Sequence, residues 1–404
     1  MMGSRKAAQG ALFYEFSLED HVPRDHLLRS IDRFVELGDI RCHLAPFYSA
    51  IGRPSIDPEL MIRMLVIGYC LGIRSERRLC EEVHLNLAYR WFCRLDLSEP
   101  VPDHSTFSKN RHGRFRDSDL FRHLFEAVLA RCIAEGLVGG EAFGADASII
   151  KAEASRYSRV ALSSWSAPDQ VSRATQEYLD TLDNAAFGAA TPVQPKTISP
   201  SDPAARFTAA NGDRAFFAYS TNYLVDLKNA VIVDVEATAP IRQAEVGAVR
   251  DMLVRTGERF DLHPQRLAAD TAYGSADMLG WLVKQQKIEP HIPVFNKSER
   301  KDGAFPTTAF VFDTKLNEYT CPGGKKLKKY WRTMTKARSG ICKDGSVGYY
   351  ASKTDCSVCA LKMKCTPKQS ARKIARHVHE DARDHAREIA KTDAYAASSY
   401  ARKK

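Results

Sequence analysis

No apolar run in this 404-residue chain is long enough to cross a bilayer. The longest, Met64 to Ile73, is interrupted by Gly68 and Gly72, whereas a spanning helix needs about 20 apolar residues. The opening Met1-Met2-Gly3-Ser4-Arg5-Lys6 has no apolar stretch behind it, so neither a secretory leader nor a membrane partner is expected. No glycine-rich phosphate loop occurs, which argues against nucleotide hydrolysis and a nucleotide cofactor. With a cytoplasmic, reducing location expected, the ten cysteines read as thiols or metal ligands rather than disulfides.

The length allows two or three domains with real cores. Apolar content is 44% and charged content 27%, an ordinary balance for a globular protein. The net charge of +10 is unevenly placed. Residues 296–404 hold 25 Lys and Arg against 11 Asp and Glu, a net +14; the remainder holds 34 against 38, a net −4. A surplus confined to one region points to a polyanionic partner, and nucleic acid fits best.

Patterning divides the chain into four parts. Residues 15–138 read as an all-helical domain. Asp57 is an N-cap with Pro58 at the first helical position, and Ser75 caps the next helix. Asp103-His104-Ser105 opens a fourth helix carrying Lys109, Arg111, Arg114 and Arg116, then continuing from Leu120 to Gly136. His104 reads as a helix-start capping residue. The basic face of Lys109, Arg111, Arg114 and Arg116 fits DNA binding by a helix-turn-helix, but residues 57–116 as a whole are close to neutral. A dimerisation or packing module is an equal alternative.

Residues 139–295 alternate strand and helix, with a proline-rich surface loop at 186–206 and weak helical character over 152–185. Segments 215–225 and 230–235 form an antiparallel hairpin, followed by a helix from Gln243 to Thr256, a strand ending at Asp270, a helix opened by Ser275, and a strand over 288–295. A hairpin joined to parallel crossover strands gives the expected fold class: α/β, with a ribonuclease-H-like mixed sheet as core. Residues 296–370 are a basic, Cys-rich insertion, and 371–404 a C-terminal helical segment, with an Arg-rich helix over 372–391. His377, His379 and His385 read as solvated residues on it.

Two aspartates carry the candidate chemistry. Asp146 closes the run Ala142 to Asp146, and Asp270 closes Leu267 to Asp270. Each run reads as a buried strand that delivers a carboxylate, with small neighbours (Gly144-Ala145 and Ala268-Ala269) leaving room for an ion. A strand-end Asp is often only a turn former, and the pairing of two such ends is what points to a site. Paired carboxylates hold Mg²⁺ or Mn²⁺, and two such ions about 4 Å apart drive in-line phosphoryl transfer.

A second cluster lies in the insertion. Cys321, Cys356-x-x-Cys359 and Cys365 form a candidate Zn²⁺ set, with Cys342 spare; buried free thiols are the alternative. Lys325, Lys326, Lys328 and Lys329, with Tyr330, Trp331 and Arg332, fill the gap and suit DNA phosphates.

Three segments together resemble bacterial insertion-sequence transposases of the DDE class. They are 52–61 leading to 101–111, Phe143-Gly144-Ala145-Asp146-Ala147-Ser148, and Ala269-Asp270-Thr271-Ala272-Tyr273-Gly274-Ser275. The resemblance runs from about residue 15 to the last residue. It implies that Asp146 and Asp270 are the first two members of a metal-binding acidic triad. It also implies strand transfer on double-stranded DNA, at terminal inverted repeats and a target, by a homo-oligomer at the bacterial nucleoid. The family's third acid is a Glu in a Val-Glu-x-x-Phe-type segment after a lead-in like Tyr400-Ala401-Arg402-Lys403-Lys404. Its absence implies a C-terminally truncated transposase with an impaired site. Glu380, Asp381, Asp384, Glu388 and Asp393 read instead as partners for neighbouring bases. A non-catalytic DNA-binding fragment that regulates or inhibits the intact transposase is the alternative, and a structure-selective nuclease a third reading.

Overall fold

The computed structural model describes residues 16–35, 37–49, 51, 55–165, 195–209, 214–295, 304–329, 340–342 and 344–403. Gly52 to Pro54, much of the 152–185 and 186–206 segments, and Tyr330, Trp331 and Arg332 lie outside the described residues. Two compact units are present, Met1–Ala134 and Glu135–Lys404.

The first unit is all-helical. Asp57 accepts from the Glu59 amide and Pro58 starts the helix Pro58–Cys70, which presents Met61, Met64, Leu65 and Ile67 to the core. Ser75 caps Glu76–Leu85. Two buried guanidinium groups tie the helices together. Arg63 pairs with Asp32 at 2.6 Å and Glu59 at 3.1 Å, and Arg90 donates to the carbonyls of Asp96 and Glu99. A buried Arg left without such partners would destabilise the fold by several kcal/mol.

The helix expected from Asp103 to Gly136 is instead three pieces: His104–His112, Arg114–Asp117 and Leu120–Ala134. Gly113 breaks the first, with φ −105° and ψ −106°, and Asp119 ends the second in the left-handed region at φ 54°. Asp103, not His104, caps the first piece, accepting from the Ser105 amide at 2.9 Å; His104 sits one residue inside, beside Asp103 and Arg77.

The second unit is mixed α/β. Its strands are β1 Ala142–Lys151, β2 Val160–Ala161, β3 Thr197–Ile198, β4 Arg206–Thr208, β5 Phe216–Asp226, β6 Val231–Thr238, β7 Arg266–Ala268, β8 Glu289–His291, β9 Val311–Asp313, β10 Glu318–Thr320, β11 Lys326–Lys329, β12 Ser346–Ala351 and β13 Lys373–His377. One six-stranded sheet runs β4-β5-β1-β7-β8, with β6 also on β5. β5 pairs antiparallel with both β1 and β6, while β1, β7 and β8 are mutually parallel. The hairpin read from the sequence is therefore β5–β6. Helix Arg242–Phe260 packs on it through Val246, Val249, Met252 and Leu253.

Beyond residue 304, strands β9 to β13 form an antiparallel sheet in the order β13-β12-β11-β10-β9. This overturns the expected helix over 372–391. Residues 373–377 are β13, paired with β12, and the helix begins only at Glu380 and ends at Ile389. Ile374 is drawn into the sheet's core, so burial there outweighs local helix propensity. His377 lies on β13 and His379 on the turn after it; of the three, only His385 is an exposed helical residue. Among the described residues no helix is long and apolar enough to cross a membrane.

Candidate active site

β1 and β7 are neighbours in parallel register, Ala142↔Arg266, Phe143↔Leu267 and Gly144↔Ala268. β7 ends there, two residues before Asp270, which caps the turn that follows it, while β1 runs on two residues from Gly144 to Asp146. Both carboxylates act electrostatically on one residue, Tyr273. Asp146 does not end its strand, however. β1 continues to Lys151, held against β5 through Ala218, so Asp146 is a mid-strand residue opposite Tyr223. It is exposed because β7 ends at Ala268 and uncovers this part of β1.

Asp146 is occupied on both oxygens. Oδ1 accepts from the Ala147 amide at 2.9 Å, and Oδ2 accepts from Nη1 of Arg402 at 3.0 Å. The space beside Gly144, expected to admit an ion, is filled differently. A Cβ there would lie 2.9 Å from Leu227 and 3.6 Å from Cγ of Arg402. Glycine at this position lets the arginine stem cross the strand to reach Asp146.

The Asp270 segment is a compact device. Oδ1 of Asp270 accepts from the Ala272 amide at 2.7 Å and caps a single turn, Thr271–Tyr273. Gly274 then passes against the chain after β8: an added Cβ would meet the Pro293 carbonyl at 2.0 Å and the Phe295 amide at 2.8 Å. Ser275 caps the helix Ala276–Trp281. Arg242 clamps the turn from outside, donating to the Ala272 carbonyl at 2.8 Å while stacking 4.0 Å over Phe295.

Tyr273 joins these parts. It is buried, and among the described residues its hydroxyl has no hydrogen-bond partner. Burial pushes its ionisation well above the usual phenol range, and the carboxylates of Glu245, Asp270 and Asp146 push it further, with Arg402 partly opposing. Glu245 is held by the buried Ser220 hydroxyl at 2.9 Å. The sequence reading missed Arg402, Tyr273, Glu245 and Arg242. Only Tyr273 had a local signal, as the residue before Gly274.

The other candidates divide. Arg111 is engaged by Glu76 at 3.0 Å and by the Tyr69 hydroxyl. Arg114 is engaged by Asn110 at 2.7 Å and by the Tyr48 ring. Lys109 is exposed, and the side chain of Arg116 lies outside the described residues. Lys325, Lys326, Lys328 and Lys329 line a broad groove of ≈ 1270 Å³ with Tyr350, Lys353 and Lys373, where Glu318 holds Lys326 at 3.0 Å. The acids near the C-terminus are paired with bases, but not at i,i+4 spacing: on the helix or just past its end Glu380 meets Arg383 and Arg387 and Glu388 meets Lys391, while Asp381 pairs with the distant Lys284 and Asp384 with Arg376 of β13. For Asp393, the described contact is its place in the first turn of helix Asp393–Ala401. Among the described residues, no three His, Cys, Asp or Glu side chains stand together as a ready metal-binding group.

Residues 16–113 match the family described as Transposase domain (DUF772). That span covers most of the helical unit and stops short of both aspartates. No curated protein and no solved structure matches the chain. Through its helical unit the chain is similar to a transposase family, which points to a transposition-related role with DNA as partner.

Proposed function

We propose that this chain is a DDE-type transposase that cleaves and transfers DNA strands at the ends of an insertion sequence. The observation that carries the reading is the parallel pairing of β1, which bears Asp146, with β7, which ends two residues before Asp270. Sheet order supports a ribonuclease-H-like core: an antiparallel trio, β6-β5-β1, continued by the parallel β7 and β8. The transposase-domain match over 16–113 supports the same reading from the other unit.

The donors at the site are carboxylate oxygens, which suit Mg²⁺ or Mn²⁺. When bound, such ions activate a water or a 3′-hydroxyl and stabilise the leaving oxygen. Asp146 and Asp270 would hold them. The Asp146 main-chain bond to Ala147 and the Asp270 cap keep both carboxylates from rotating freely. The lysines of β11 would take phosphates of double-stranded DNA, at inverted repeats and target, and a homo-oligomer would pair two element ends.

A nicking assay on inverted-repeat DNA with Mg²⁺ tests the proposal. Asp146→Ala and Asp270→Asn should each lower the rate at least about 100-fold, since each removes several kcal/mol of charge stabilisation. Cleavage indifferent to both changes would overturn it. A second reading, a non-catalytic DNA-binding regulator of an active transposase, is favoured by the Arg402 contact on Asp146. It predicts a gel shift on repeat DNA without Mg²⁺ and no nicking with it.

A further inference from the structure

Four cysteines from three separate stretches line one narrow cavity of ≈ 30 Å³: Cys321, Cys356, Cys359 and Cys365. That is room for a water- or ion-sized occupant. Cys321 opens the turn Cys321-Pro322-Gly323-Gly324-Lys325, closed by two main-chain bonds of 2.8 Å between its ends and across its tip. Gly324 takes the left-handed conformation at φ +73° that the turn needs. The Lys325 amide, at the far end, donates to Sγ of Cys321 at 3.3 Å. An amide aimed at the sulfur fixes its orientation, as outer contacts of metal-binding side chains do.

The next sulfurs come from residues 353–365. A Cβ added at Gly323 would lie 3.7 Å from Sγ of both Cys321 and Cys359, so these two sulfurs flank the same glycine. Cys356 belongs to the helix Lys353–Ser357, and Cys365 ends Lys362–Cys365. Cys356, Cys321 and Cys359 all lie close enough to act electrostatically on Cys365. Cys342 is exposed and outside the cavity.

The sheet they adjoin has a small core. Its buried cluster is Phe310, Tyr319, Leu327, Val347, Tyr349 and Ile374, with Cys321 and Cys365 packed at its margin. A module with so small a core commonly relies on a metal or disulfides, and all four cysteines are free thiols.

We propose that Cys321, Cys356, Cys359 and Cys365 form a structural zinc site that staples the end of the five-stranded sheet. Four protein sulfurs complete a tetrahedral set and leave no position for substrate. The sulfurs border the cavity without forming a ready-made group; binding the ion gathers them, and each thiol proton passes to water as its sulfur binds. Lys353 shares a short helix with Cys356, and Lys325 closes the Cys321 turn; both line the lysine-rich groove. The staple therefore fixes one wall of the surface assigned to DNA phosphates. The site is independent of Asp146 and Asp270.

The test is metal content of the full chain, purified under reducing conditions, by native mass spectrometry. One zinc per chain is expected. Cobalt substitution should give the sulfur-to-metal charge-transfer and visible bands of a tetrahedral tetrathiolate. Cys356→Ser and Cys365→Ser should lose the bound metal, while Cys342→Ser keeps it. A chain that binds no zinc and shows no cobalt bands overturns the proposal, as does resident iron or equal loss in Cys342→Ser. If the serine variants fail to fold, the cobalt spectrum of the unaltered chain decides. None of these outcomes bears on nicking at the aspartates.

Discussion

Replacing Arg402 with Gln should strengthen divalent-cation binding at Asp146. The guanidinium stands 3.0 Å from Oδ2 of Asp146, where a cation would bind. Glutamine keeps the first carbons of the stem over Gly144 and removes the charge. Two unit charges 4 Å apart attract by about 1 kcal/mol in water and about 4 kcal/mol at a protein surface of intermediate dielectric. The Asp146 side chain is 63% exposed and that of Arg402 19%, so solvent screening dominates and the pair belongs with exposed ion pairs, about 0.2–1 kcal/mol. Removing that competitor should tighten cation binding about 1.4- to 5-fold. The gain should shrink with salt, because the screening length falls to about 8 Å at physiological ionic strength. Mn²⁺ titration followed by electron paramagnetic resonance, at low and high salt, measures it. Asp146→Asn completes a double-mutant cycle. Unchanged or weaker Mn²⁺ binding in Arg402→Gln would refute the reasoning, as would a gain that persists with Asn at position 146.

Other outcomes follow from the same geometry. Gly274→Ala places a methyl 2.0 Å from the Pro293 carbonyl, with main chain on both sides; urea denaturation should show a loss of about 1–3 kcal/mol or more, and unchanged stability would contradict the close approach. His291 is buried and bonded to the Ser398 hydroxyl at 2.9 Å, and burial, aided by Arg266, lowers its pKa below the usual imidazole value against a partial pull from Glu289. The unfolded chain then takes up a proton that the folded one resists, so stability is full above about pH 6.5 and falls as pH drops below it; denaturation midpoints against pH should be flatter in His291→Gln. Lys326→Ala with Lys328→Ala should weaken DNA binding uniformly across sequences and reduce the slope of log affinity against log salt by about 2; an unchanged slope in fluorescence anisotropy would remove this face from the DNA interface.

Local sequence is decisive where short-range chemistry acts. The caps at Asp57, Ser75 and Ser275 depend on one side chain and an amide two or three residues away, and they stand in the structure. The paired strands 216–226 and 231–238 follow from β-branched and aromatic runs joined by a short turn. Local pattern misleads where the pairing partners are distant in the chain. Residues 373–377 look helical among arginines, yet they pair with β12. Asp146 looked like a strand end because the apolar pattern stops there, but β1 is carried on by its hydrogen bonds to β5.

The aspartates show the same division. The sequence by itself determined their type, the small residues before them and the turn chemistry of Asp270-Thr271-Ala272-Tyr273-Gly274-Ser275, because these are properties of adjacent residues. Only the tertiary structure decided that the strand bearing Asp146 pairs with the one that leads into Asp270, that Glu245 acts on the same tyrosine as both aspartates, and that Arg402 covers Asp146. Each of those contacts joins residues far apart in the chain, and register, helix packing and side-chain reach are set by the whole sheet rather than by local sequence.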